Sequence, residues 1–529
     1  MDRDRQKDGD MMQRELPHST NSTERSVVDV RRLGAHGDGK HVDTKPIQEA
    51  IEACHAAGGG VAYVPPGEYV TGSLVLRSNV TLYLEGGATL RGSTERSDYA
   101  TGTRDDHRYD WTAGECLIYA ENASHVSVRG RGVIDGNGPA FWTWNGRHWV
   151  ADKWRPSMMQ FLGCDHVLVE DVMLRNSPGW TLHPTDCDGV TIRGVTIRNG
   201  MREKHGPNTD GIDIDACRHV RISDCDIQSG DDSIVIKITD RAHRERVSRD
   251  IVVTNCVLAT DASGLKIGSE SCGEFRNITF SNCTISEAGD GIGLWVQDGG
   301  VVDGWLVSNV TMTLREGGQP FYVWSSKRTP ETPRWGTVRN VVFSNIVATG
   351  DGAAFLMGPP EQPIENVTLD NVRFFMSGTV EKPLHADPPH PFDIWGHRAS
   401  PYDIYSRHVG RLVLRNVELE WNRPERPEWG SAIRCRDVGN VDIDGFVGRG
   451  SEGSEAPTID LRNVKSAFIR NCQATEGTNS FVGVGPGVER VTIVGNDLSE
   501  AKSVVELDEA ATADVVFAAA NRELRDSVE

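Results

Sequence analysis

The chain of 529 residues has no long apolar segment. No window approaches the roughly 18 consecutive apolar residues that suggest a membrane-spanning helix, so none is predicted. The first ten residues also lack the apolar core of a secretory signal, which predicts a cytoplasmic location, with an extracellular one as the alternative. The 11 cysteines are odd in number and scattered, unlike a disulfide scaffold, and they favour a reducing compartment.

Positive charge is scarce, and lysine is scarcer than arginine. The formal net charge is -20, and only 11 of the 56 basic residues are lysine. This charge disfavours nucleic acid and anionic membranes as partners, and it suits a polyanionic substrate only if the binding cleft is locally basic. Motifs for zinc, phosphate or dinucleotide binding are absent as well, so the sequence requires neither a metal nor a cofactor.

Short segments in which apolar and polar residues alternate recur along the chain. Their first apolar residues are mostly 23 to 31 residues apart, at positions 167, 190, 220, 251, 278, 341, 367, 412, 441 and 491. A repeat of this length is typical of stacked units, and alternation with β-branched residues indicates strands. The leucine spacing of a horseshoe repeat is missing. The pattern therefore predicts an all-β fold, a single-stranded right-handed parallel β-helix.

Asparagine and cysteine occur together at equivalent turns of this predicted β-helix. The pairs stand at 255–256, 282–283 and 471–472. Stacked asparagine side chains can form ladders between coils and satisfy the backbone of the turns. We expect the cysteines beside them to pack in the interior rather than to take part in chemistry.

The N-terminal region of the chain differs from the repeat. Between Asp43 and Ala57 the apolar residues follow a helical period, with Asp43 as the predicted N-cap and Gly58 as the stop. We expect this helix to cap the open end of the β-helix, which would otherwise invite edge pairing. The predicted division of the chain is a disordered leader at 1–25, a β-helix domain at 26–510 and a C-terminal tail at 511–529.

Two acidic motifs lie one predicted coil apart. The first is Asn-Thr-Asp at 208–210, and the second is Gly-Asp-Asp at 230–232, in which Asp231 follows 21 residues after Asp210. Each motif opens a strand-like segment, so Asp210, Asp231 and Asp232 should converge on one patch of surface. Because neighbouring carboxylates repel one another, some should have raised pKa values, and the set can divide acid from base work. A pair of carboxylates is the basic equipment for hydrolysing a glycosidic bond.

This interpretation sets a condition on Asp231 and Asp232, which are adjacent in the sequence. Adjacent side chains of a regular strand point to opposite faces. Both carboxylates therefore reach the same cleft only if the turn at Gly230 breaks the alternation. The alternative is that one of the two caps a turn or accepts hydrogen bonds from the backbone.

Around these motifs, from about Val27 to about Asn345, the chain resembles a known family. The motifs that carry the resemblance are Gly-Val-Ile-Asp-Gly-Asn-Gly at 132–138, Ser-Pro-Gly-Trp-Thr-Leu-His-Pro at 177–184, Asn-Thr-Asp-Gly-Ile-Asp at 208–213 and Gly-Asp-Asp-Ser-Ile-Val-Ile-Lys at 230–237. On these residues the chain resembles the polygalacturonases, glycoside hydrolase family 28, and especially their bacterial-type members. The resemblance implies a pectin-lyase-like β-helix.

The resemblance also implies hydrolysis in a single step with inversion. Asp231 would be the general acid that protonates the leaving oxygen, and Asp210 and Asp232 would hold and deprotonate the attacking water. We then expect Asp231 to lie about 6.5 to 9.5 Å from the nearer of the other two carboxylates, which leaves room for the water.

Two motifs of the family are altered, and this bears on the substrate. Ser263 stands where the family has the histidine of Gly-His-Gly, and Gly-Ile-Gly-Leu-Trp at 291–295 replaces Arg-Ile-Lys, which grips a galacturonate carboxylate. Trp295 cannot replace an arginine fork. The sequence therefore predicts a pectin-like or related oligosaccharide, cut from one end, rather than plain polygalacturonan. Lys237 and Lys266 are the predicted sources of a relocated positive charge.

Further residues near the motifs are predicted to contact the substrate, each with a structural alternative. Asn208 would touch the substrate or orient Asp210, or else it shapes a turn. His183 and Trp180 would line a subsite, or else the histidine is satisfied within a turn. Glu270 would bind a sugar hydroxyl or simply carry surface charge. The predicted substrate-binding set is Asn208, His183, Lys237, Ser263, Lys266, Glu270 and Trp295.

Three segments interrupt the repeat with aromatic residues. Those at 98–115 and 139–156 are rich in tyrosine and tryptophan, and 380–407 combines aromatic residues with proline, histidine and aspartate. Aromatic loops beside a cleft can stack on sugar rings. The alternative is that they pack against the flank of the solenoid.

Two other classes of function remain open at the level of sequence. A parallel β-helix can be a calcium-dependent polysaccharide lyase, in which Asp231 and Asp232 would bind calcium and Lys237 or an arginine would abstract a proton from a uronic acid. The chain can also be a carbohydrate-binding protein without activity. A lyase would release an unsaturated product, whereas a binding protein would release no reducing ends.

Overall fold

The computed structural model describes residues 26–99, 115–151, 154–201, 206–352, 354–376, 402–421, 429–451 and 453–523. In these residues the chain forms a solenoid whose coils stack through parallel strand pairing, and 39 strands join one sheet. The predicted all-β class and parallel β-helix are confirmed. The predicted leader at 1–25 lies outside the described residues.

Each coil contributes strands to three stacks. The first stack, here called the site face, carries the acidic motifs and comprises Leu74–Val75, Cys116–Glu121, Ser157–Leu162, Leu182–Thr185, Ile212–Asp215, Ile234–Ile238, Ser263–Ser271, Ala354–Met357, Thr478–Val484 and Ala501–Leu507. The second comprises Ser26–Asp29, Gly60–Val64, Val80–Leu84, Ser127–Gly130, Asp165–Glu170, Asp188–Arg193, Arg218–Ser223, Val247–Thr254, Val491–Val494 and Val516–Ala519. The third comprises Asp38–Val42, Gly67–Thr71, Ala88–Gly92, Val133–Asp135, Met173–Arg175, Thr196–Arg198, Asp226–Ser229, Val257–Thr260, Val447–Gly448, Gln473–Ala474, Asp497–Leu498 and Arg522–Glu523.

Longer strands pass round the corners of the solenoid and belong to more than one stack. They are Glu274–Val296, Val301–Ser325, Thr337–Gly350, Ile364–Met376, Ile404–Trp421, Ile433–Asp444 and Ile459–Arg470. An antiparallel pair, Trp142–Trp144 with Trp149–Ala151, stands apart from the main sheet. Short 3-10 helices occur at Val30–Leu33, Arg96–Asp98, Gly138–Phe141 and Ala513–Val515.

The interior of the solenoid is filled by the apolar residues that alternate along each strand. On the site face Leu182, Ile212, Ile234 and Leu265 are register partners in successive coils, and all four are buried. Successive coils are about 4.8 Å apart, the distance between hydrogen-bonded strands. Neighbouring residues of each strand point outward, so equivalent polar residues of successive coils lie one above another on the outer surface.

The turns between stacks carry the predicted asparagine ladders. Asn255, Asn282 and Asn471 have φ of 56°, 54° and 52°, the left-handed conformation that asparagine tolerates. The side-chain amide of Asn255 donates to Asp224 at 3.3 Å, and that of Asn471 donates to Asp444 at 2.8 Å, so the ladders link neighbouring coils. The cysteines after these turns are buried, namely Cys256, Cys283 and Cys472.

The predicted helix is present as α1, Thr44–Ala56. Its apolar face packs into the core of the first coils through Ile47, Ala50, Ile51 and Cys54. Asp43 is the N-cap residue, as predicted, but its side chain makes no capping hydrogen bond to the helix. Its carboxylate instead accepts hydrogen bonds from the backbone amides of His36 at 2.7 Å and Gly37 at 3.0 Å, which hold the preceding glycine-rich turn.

The solenoid continues past residue 510, where the sequence analysis ended the β-helix domain. Val516–Ala519 pairs in parallel with Val491–Val494, and Arg522–Glu523 pairs with Asp497–Leu498. The last coil therefore reaches Glu523. None of the helices in the described ranges is both long and apolar enough to cross a membrane.

Candidate active site

The two acidic motifs lie where the chain enters the site face, immediately before two neighbouring strands. Residues 230–233 fall between Asp226–Ser229 and Ile234–Ile238, so the alternation of a strand does not apply to Asp231 and Asp232. One oxygen of each of Asp210, Asp231 and Asp232 lies within 4.8 Å of the other two. The predicted convergence of the three carboxylates is therefore present, and the turn at Gly230 meets the condition for it.

The nearest oxygens of the three carboxylates lie within 4.8 Å of one another. The expected separation of about 6.5 to 9.5 Å refers to whole carboxyl groups rather than to their nearest oxygens, so that expectation stays a prediction. Two buried lysines, which pair with Asp210 and Asp232, offset part of the repulsion between the carboxylates.

Lys237 binds the first of these carboxylates. Its ammonium nitrogen lies 3.1 Å from Asp210 Oδ2 and 2.8 Å from Asp213 Oδ1, with Glu270 Oε2 at 3.8 Å. It also lies 4.0 Å from the centre of the Trp180 ring, a cation–π contact. With its side chain only 5% exposed, Lys237 is enclosed by the cluster.

Lys266 has the equivalent role in the next coil. Its ammonium nitrogen lies 2.8 Å from Asp232 Oδ2 and 3.7 Å from the centre of the Trp295 ring. The other oxygen of Asp232 accepts a hydrogen bond from the backbone amide of Ser263 at 3.2 Å. Both predicted substrate-gripping lysines are therefore buried and engaged with the protein's own carboxylates.

Burial gives the carboxylates unequal acidity. It raises the pKa of Asp231 well above its ordinary value, and the neighbouring charges of Asp210 and Asp232 raise it further. Burial also raises the pKa of Asp210, although Lys237 opposes the shift. Burial alone would raise the pKa of Glu270 too, but Lys237, Arg328 and Lys266 together hold it below its ordinary value. The cluster thus combines carboxyl groups whose pKa is raised with one, Glu270, whose pKa is lowered.

Asn208 and His183 support the cluster from the side of the preceding coils. Asn208 Oδ1 accepts a hydrogen bond from Arg155 at 2.9 Å, and burial lowers the pKa of this arginine to about 10. His183 Nε2 lies 3.1 Å from Thr185 Oγ1 and 3.4 Å from an oxygen of Asp215. Asn208 is therefore engaged by Arg155, and His183 by Thr185 and Asp215.

Two residues that the sequence analysis did not single out belong to the site. Asp213 is fully buried beside Lys237, and burial and the charge of Asp210 raise its pKa well above the ordinary value, against the effect of Lys237. The alternation in Ile-Asp-Ile-Asp at 212–215 is a signal for it, because it places both acids on the outer surface. The sequence contains no such signal for Arg155, because Arg155 lies outside the repeat.

The aromatic segments mostly pack within the protein. Trp142 is buried and donates a hydrogen bond from Nε1 to the carbonyl of Pro178 at 3.1 Å, while Trp154 packs edge-on against Phe141 at 5.3 Å. Trp144, which is 45% exposed, is the exception among these three tryptophans. Tyr109, Trp111 and most of 380–407 lie outside the described residues.

The three carboxylates have the ligand chemistry of a cation site, but the lysines occupy it. Lys237 and Lys266 already approach Asp210 and Asp232 within 3.1 Å and 2.8 Å, so a calcium ion would have to compete with two buried ammonium groups. Lys237, the candidate proton acceptor of a lyase, is likewise already engaged by Asp210 and Asp213. The arrangement therefore disfavours the lyase alternative.

Comparison with known proteins agrees with this geometry. A family model described as Glycosyl hydrolases family 28 matches residues 60–385. A probable polygalacturonase from Vitis vinifera is 28% identical over 387 residues, covering 68% of this chain and 75% of that protein. An exopolygalacturonase from Zea mays is 26% identical over 377 residues, covering 67% of this chain and 85% of the other.

Solved structures show the same fold. The Family 28 exopolygalacturonase from Yersinia enterocolitica has a TM-score of 0.58 at 19% identity and covers 80% of this chain and 79% of its own. The exopolygalacturonase from Thermotoga maritima has a TM-score of 0.57 at 23% identity and covers 75% of this chain and 92% of its own. The family model spans more than half of the sequence and includes both acidic motifs. The chain therefore belongs to glycosyl hydrolases family 28.

Proposed function

We propose that this chain hydrolyses a glycosidic bond of a pectin-related oligosaccharide, with Asp231 as the general acid. The observation that carries the proposal is the unequal charge around the three carboxylates. Lysine ammonium groups lie 3.1 Å from Asp210 and 2.8 Å from Asp232, whereas among the described residues no lysine forms an ion pair with Asp231. A carboxyl with no lysine in an ion pair, beside two that have one, has the raised pKa of a group that can donate a proton to a leaving oxygen.

Asp210 and Asp232 would bind and deprotonate the attacking water. Asp210 Oδ1 is buried and has no hydrogen-bond partner in the described residues, so it offers an acceptor to a water molecule. The lysines stabilise the negative charge of both residues and fix their orientation. A water held there would attack while Asp231 protonates the departing sugar.

We propose that the reaction inverts the anomeric configuration. The nearest carboxylate oxygens lie within 4.8 Å of one another, and this distance alone does not separate the geometry of an inverting enzyme from that of a retaining one. Both possible nucleophiles, Asp210 and Asp232, are nevertheless ion-paired with buried lysines, which lowers their nucleophilicity, and the resemblance implies inversion. The anomeric configuration of the product therefore tests directly whether water or a carboxylate attacks the sugar.

The substrate is proposed to differ from plain polygalacturonan at the sugar that reacts. In support, Gly293 stands in the place of the family's carboxylate-gripping motif, and a Cβ there would lie 3.2 Å from Ser263 Oγ and 3.3 Å from Lys266 Cγ. No long cationic side chain fits that position without displacing these neighbours. Ser263 Oγ is buried without a hydrogen-bond partner in the described ranges, which suits contact with a sugar hydroxyl.

We propose further that the enzyme removes sugars from a chain end. Beyond Lys266 the outer surface of the site face is occupied by packed side chains: Trp295, Tyr322, Trp324, Phe355, Met357 and Tyr405, here called the aromatic cluster. All six are at most 7% exposed. A groove on this surface would therefore end at the aromatic cluster. The similarity to exopolygalacturonases points the same way.

The test is a hydrolysis screen on polygalacturonate, digalacturonate and pectic fragments that contain rhamnose or neutral sugars, at matched ionic strength. We expect release of reducing ends from a short mixed fragment, with a higher kcat/KM than for long polygalacturonate. Preference for long polygalacturonate over all the others would overturn the proposed specificity.

The same screen separates the alternative functions. A lyase would give a product that absorbs in the ultraviolet and would lose activity with a chelator, whereas hydrolysis does neither. A binding protein would retain the oligosaccharide and release no reducing ends. Either result would contradict the proposed hydrolysis.

A further inference from the structure

A small antiparallel hairpin beside the site carries two tryptophans next to its turn. Trp142–Trp144 pairs with Trp149–Ala151 apart from the main sheet, and Trp144 stands directly opposite Trp149. Their rings are 5.5 Å apart at an angle of 64°, which is an edge-on contact. Of the tryptophans that the structure describes, Trp144 alone is exposed. We refer to Trp144 and Trp149 as the tryptophan pair.

The hairpin is fixed to the segments that lead into the site face. Trp142 Nε1 donates a hydrogen bond to the carbonyl of Pro178 at 3.1 Å, and its ring lies so close to Gly206 that a Cβ there would overlap it. Arg155, which follows the hairpin, donates to the same carbonyl of Pro178 at 2.9 Å and also to the carbonyl of Pro207. The hairpin is therefore held on both sides, next to the first acidic motif.

The tryptophan pair lies on the same face of the hairpin as this anchor. Alternate residues of a strand share a face, so Trp144 lies on the side of Trp142, and its cross-strand partner Trp149 shares that side. A strand rises about 3.4 Å per residue, which sets Trp144 roughly 7 Å beyond the anchored ring. The pair is thus carried by the coils that precede Asp210, whereas the aromatic cluster lies in the coils that follow Lys266.

The exposed ring is not needed to hold the hairpin together. Its turn is closed by other groups, because the backbone amides of Arg147 and His148 each donate to Asn145 Oδ1 at 2.9 Å. The edge-on contact with Trp149 orients the ring of Trp144 and leaves at least one face of that ring uncovered by Trp149. An oriented indole with an open face suits the C–H groups of a pyranose ring, which lose water when they pack against it.

We propose that the tryptophan pair stacks on a sugar ring of the substrate at a distance from the bond that is cleaved. This inference rests on the proposed function and deepens it, because the substrate becomes an oligosaccharide long enough to reach from the carboxylates to the pair. Stacking on C–H groups does not depend on charge, so it suits acidic and neutral sugars alike. With one end of the groove closed by the aromatic cluster, the pair holds the rest of the sugar chain at the other end.

The experiment measures kcat/KM on pectic oligosaccharides of increasing length. For the parent protein we expect kcat/KM to rise with length until the chain reaches the pair, and then to level off. Trp144→Ala should lower the ratio of kcat/KM between the longest oligosaccharide and the disaccharide about 10-fold, mainly through KM, because an aromatic stacking contact is lost. Trp144→Tyr keeps a ring and should recover most of the ratio. The matched control is Phe517→Ala, which removes an exposed ring from the last coil and should leave the ratio unchanged.

The outcomes separate this inference from the hydrolysis itself. An unchanged ratio in Trp144→Ala, with hydrolysis intact, would overturn the inference and leave the hydrolase standing. An equal loss at every length would indicate a structural role for Trp144, and loss of a dimer without a change in the ratio would assign the ring to contact between copies. Either result would also overturn the inference.

Calorimetry on the Asp231→Asn variant decides the question even if no oligosaccharide is hydrolysed. Affinity that rises with length, and that falls about 10-fold when Trp144→Ala is added, would support stacking by the pair without any turnover. Affinity that does not depend on Trp144 at any length would contradict it.

Discussion

The outer surface of the site face has a charged stretch and an aromatic stretch, whose side chains occupy equivalent positions of successive coils. In one column, Lys266 pairs with Gly293, which pairs with Tyr322, and Phe355 and Tyr405 follow. The coils up to Lys266 carry charged side chains, whereas the coils after it carry the aromatic cluster. Both stretches are buried. The comparison shows that a position in the repeat fixes where a side chain stands but not what it does.

Burial has opposite consequences in the two stretches. In the charged stretch burial destabilises ionised side chains. Lysines therefore compensate the charge of two carboxylates, and the pKa of Asp231 rises. In the aromatic cluster burial is itself stabilising, by about 1.5 to 3 kcal/mol for a large apolar side chain. Substitution of the proposed general acid in the first stretch should therefore affect activity, whereas substitutions in the second should affect stability.

The largest effect is expected for Asp231→Asn. Loss of the general acid should reduce kcat/KM by roughly 100- to 10,000-fold, while the thermal unfolding midpoint stays close to that of the parent. Steady-state kinetics and calorimetry check this. Asp226→Asn, an exposed acid of the same coil, is the control and should retain activity. If the activity of Asp231→Asn were within a few-fold of that of the parent, Asp231 would not be the general acid.

In the aromatic cluster, Trp324→Ala should act on stability alone. Trp324 is 1% exposed, so its truncation should lower the free energy of unfolding by about 3 to 5 kcal/mol. Denaturant unfolding measures this change, and kcat should match the parent at temperatures where the variant remains folded. A fall in kcat comparable to that of Asp231→Asn would break the contrast between the two stretches.

Lys237→Met tests how much the buried ion pairs of Lys237 contribute to the stability of the charged stretch. The change leaves Asp210 and Asp213 without their ammonium partner, and breaking a buried pair should cost about 3 kcal/mol of unfolding free energy. Adding Asp213→Asn should recover some of that loss, because it removes one of the two buried carboxyl groups left without a partner. Unfolding of the four proteins in a double-mutant cycle gives the coupling. Additive effects would contradict the described network.

Asp403 offers the smallest and most specific test. It precedes the strand of Tyr405, and neither carboxylate oxygen has a hydrogen-bond partner among the described residues, so burial raises its pKa well above the ordinary value. A raised pKa favours the protonated folded state, so stability falls as the pH rises above the ordinary value of about 3.9.

Asp403→Asn should therefore stabilise the protein by about 1 kcal/mol at neutral pH. The gain should vanish near pH 4, where the aspartate is protonated in the parent as well. Thermal unfolding at both pH values measures the difference. A gain that does not depend on pH would show that the charge of Asp403 is not its cause.

Much of this contrast was accessible from the sequence. The repeat predicted the coils and placed Asp210, Asp231 and Asp232 together, because the two motifs lie one coil apart and each precedes a site-face strand. Helix α1 was also predicted, although the role of Asp43 was not, since its carboxylate turned out to serve a turn rather than the helix. The alternation that revealed the strands also marks Asp213.

The rest depends on contacts that no local pattern encodes. That Lys237 and Lys266 point into the cluster, rather than toward a substrate, follows from carboxylates one coil away. Arg155 and Arg328 lie outside the repeat, where no periodicity fixes their neighbours, so only the folded chain reveals their partners.

The most direct measurement follows the anomeric proton of the first product by NMR during hydrolysis of a mixed pectic oligosaccharide. The account predicts a product whose configuration is opposite to that of the cleaved bond, formed by the parent and not by Asp231→Asn. A product that retains the configuration would make Asp210 or Asp232 a covalent nucleophile, as their spacing within 4.8 Å of Asp231 permits, and would contradict the proposed attack by water.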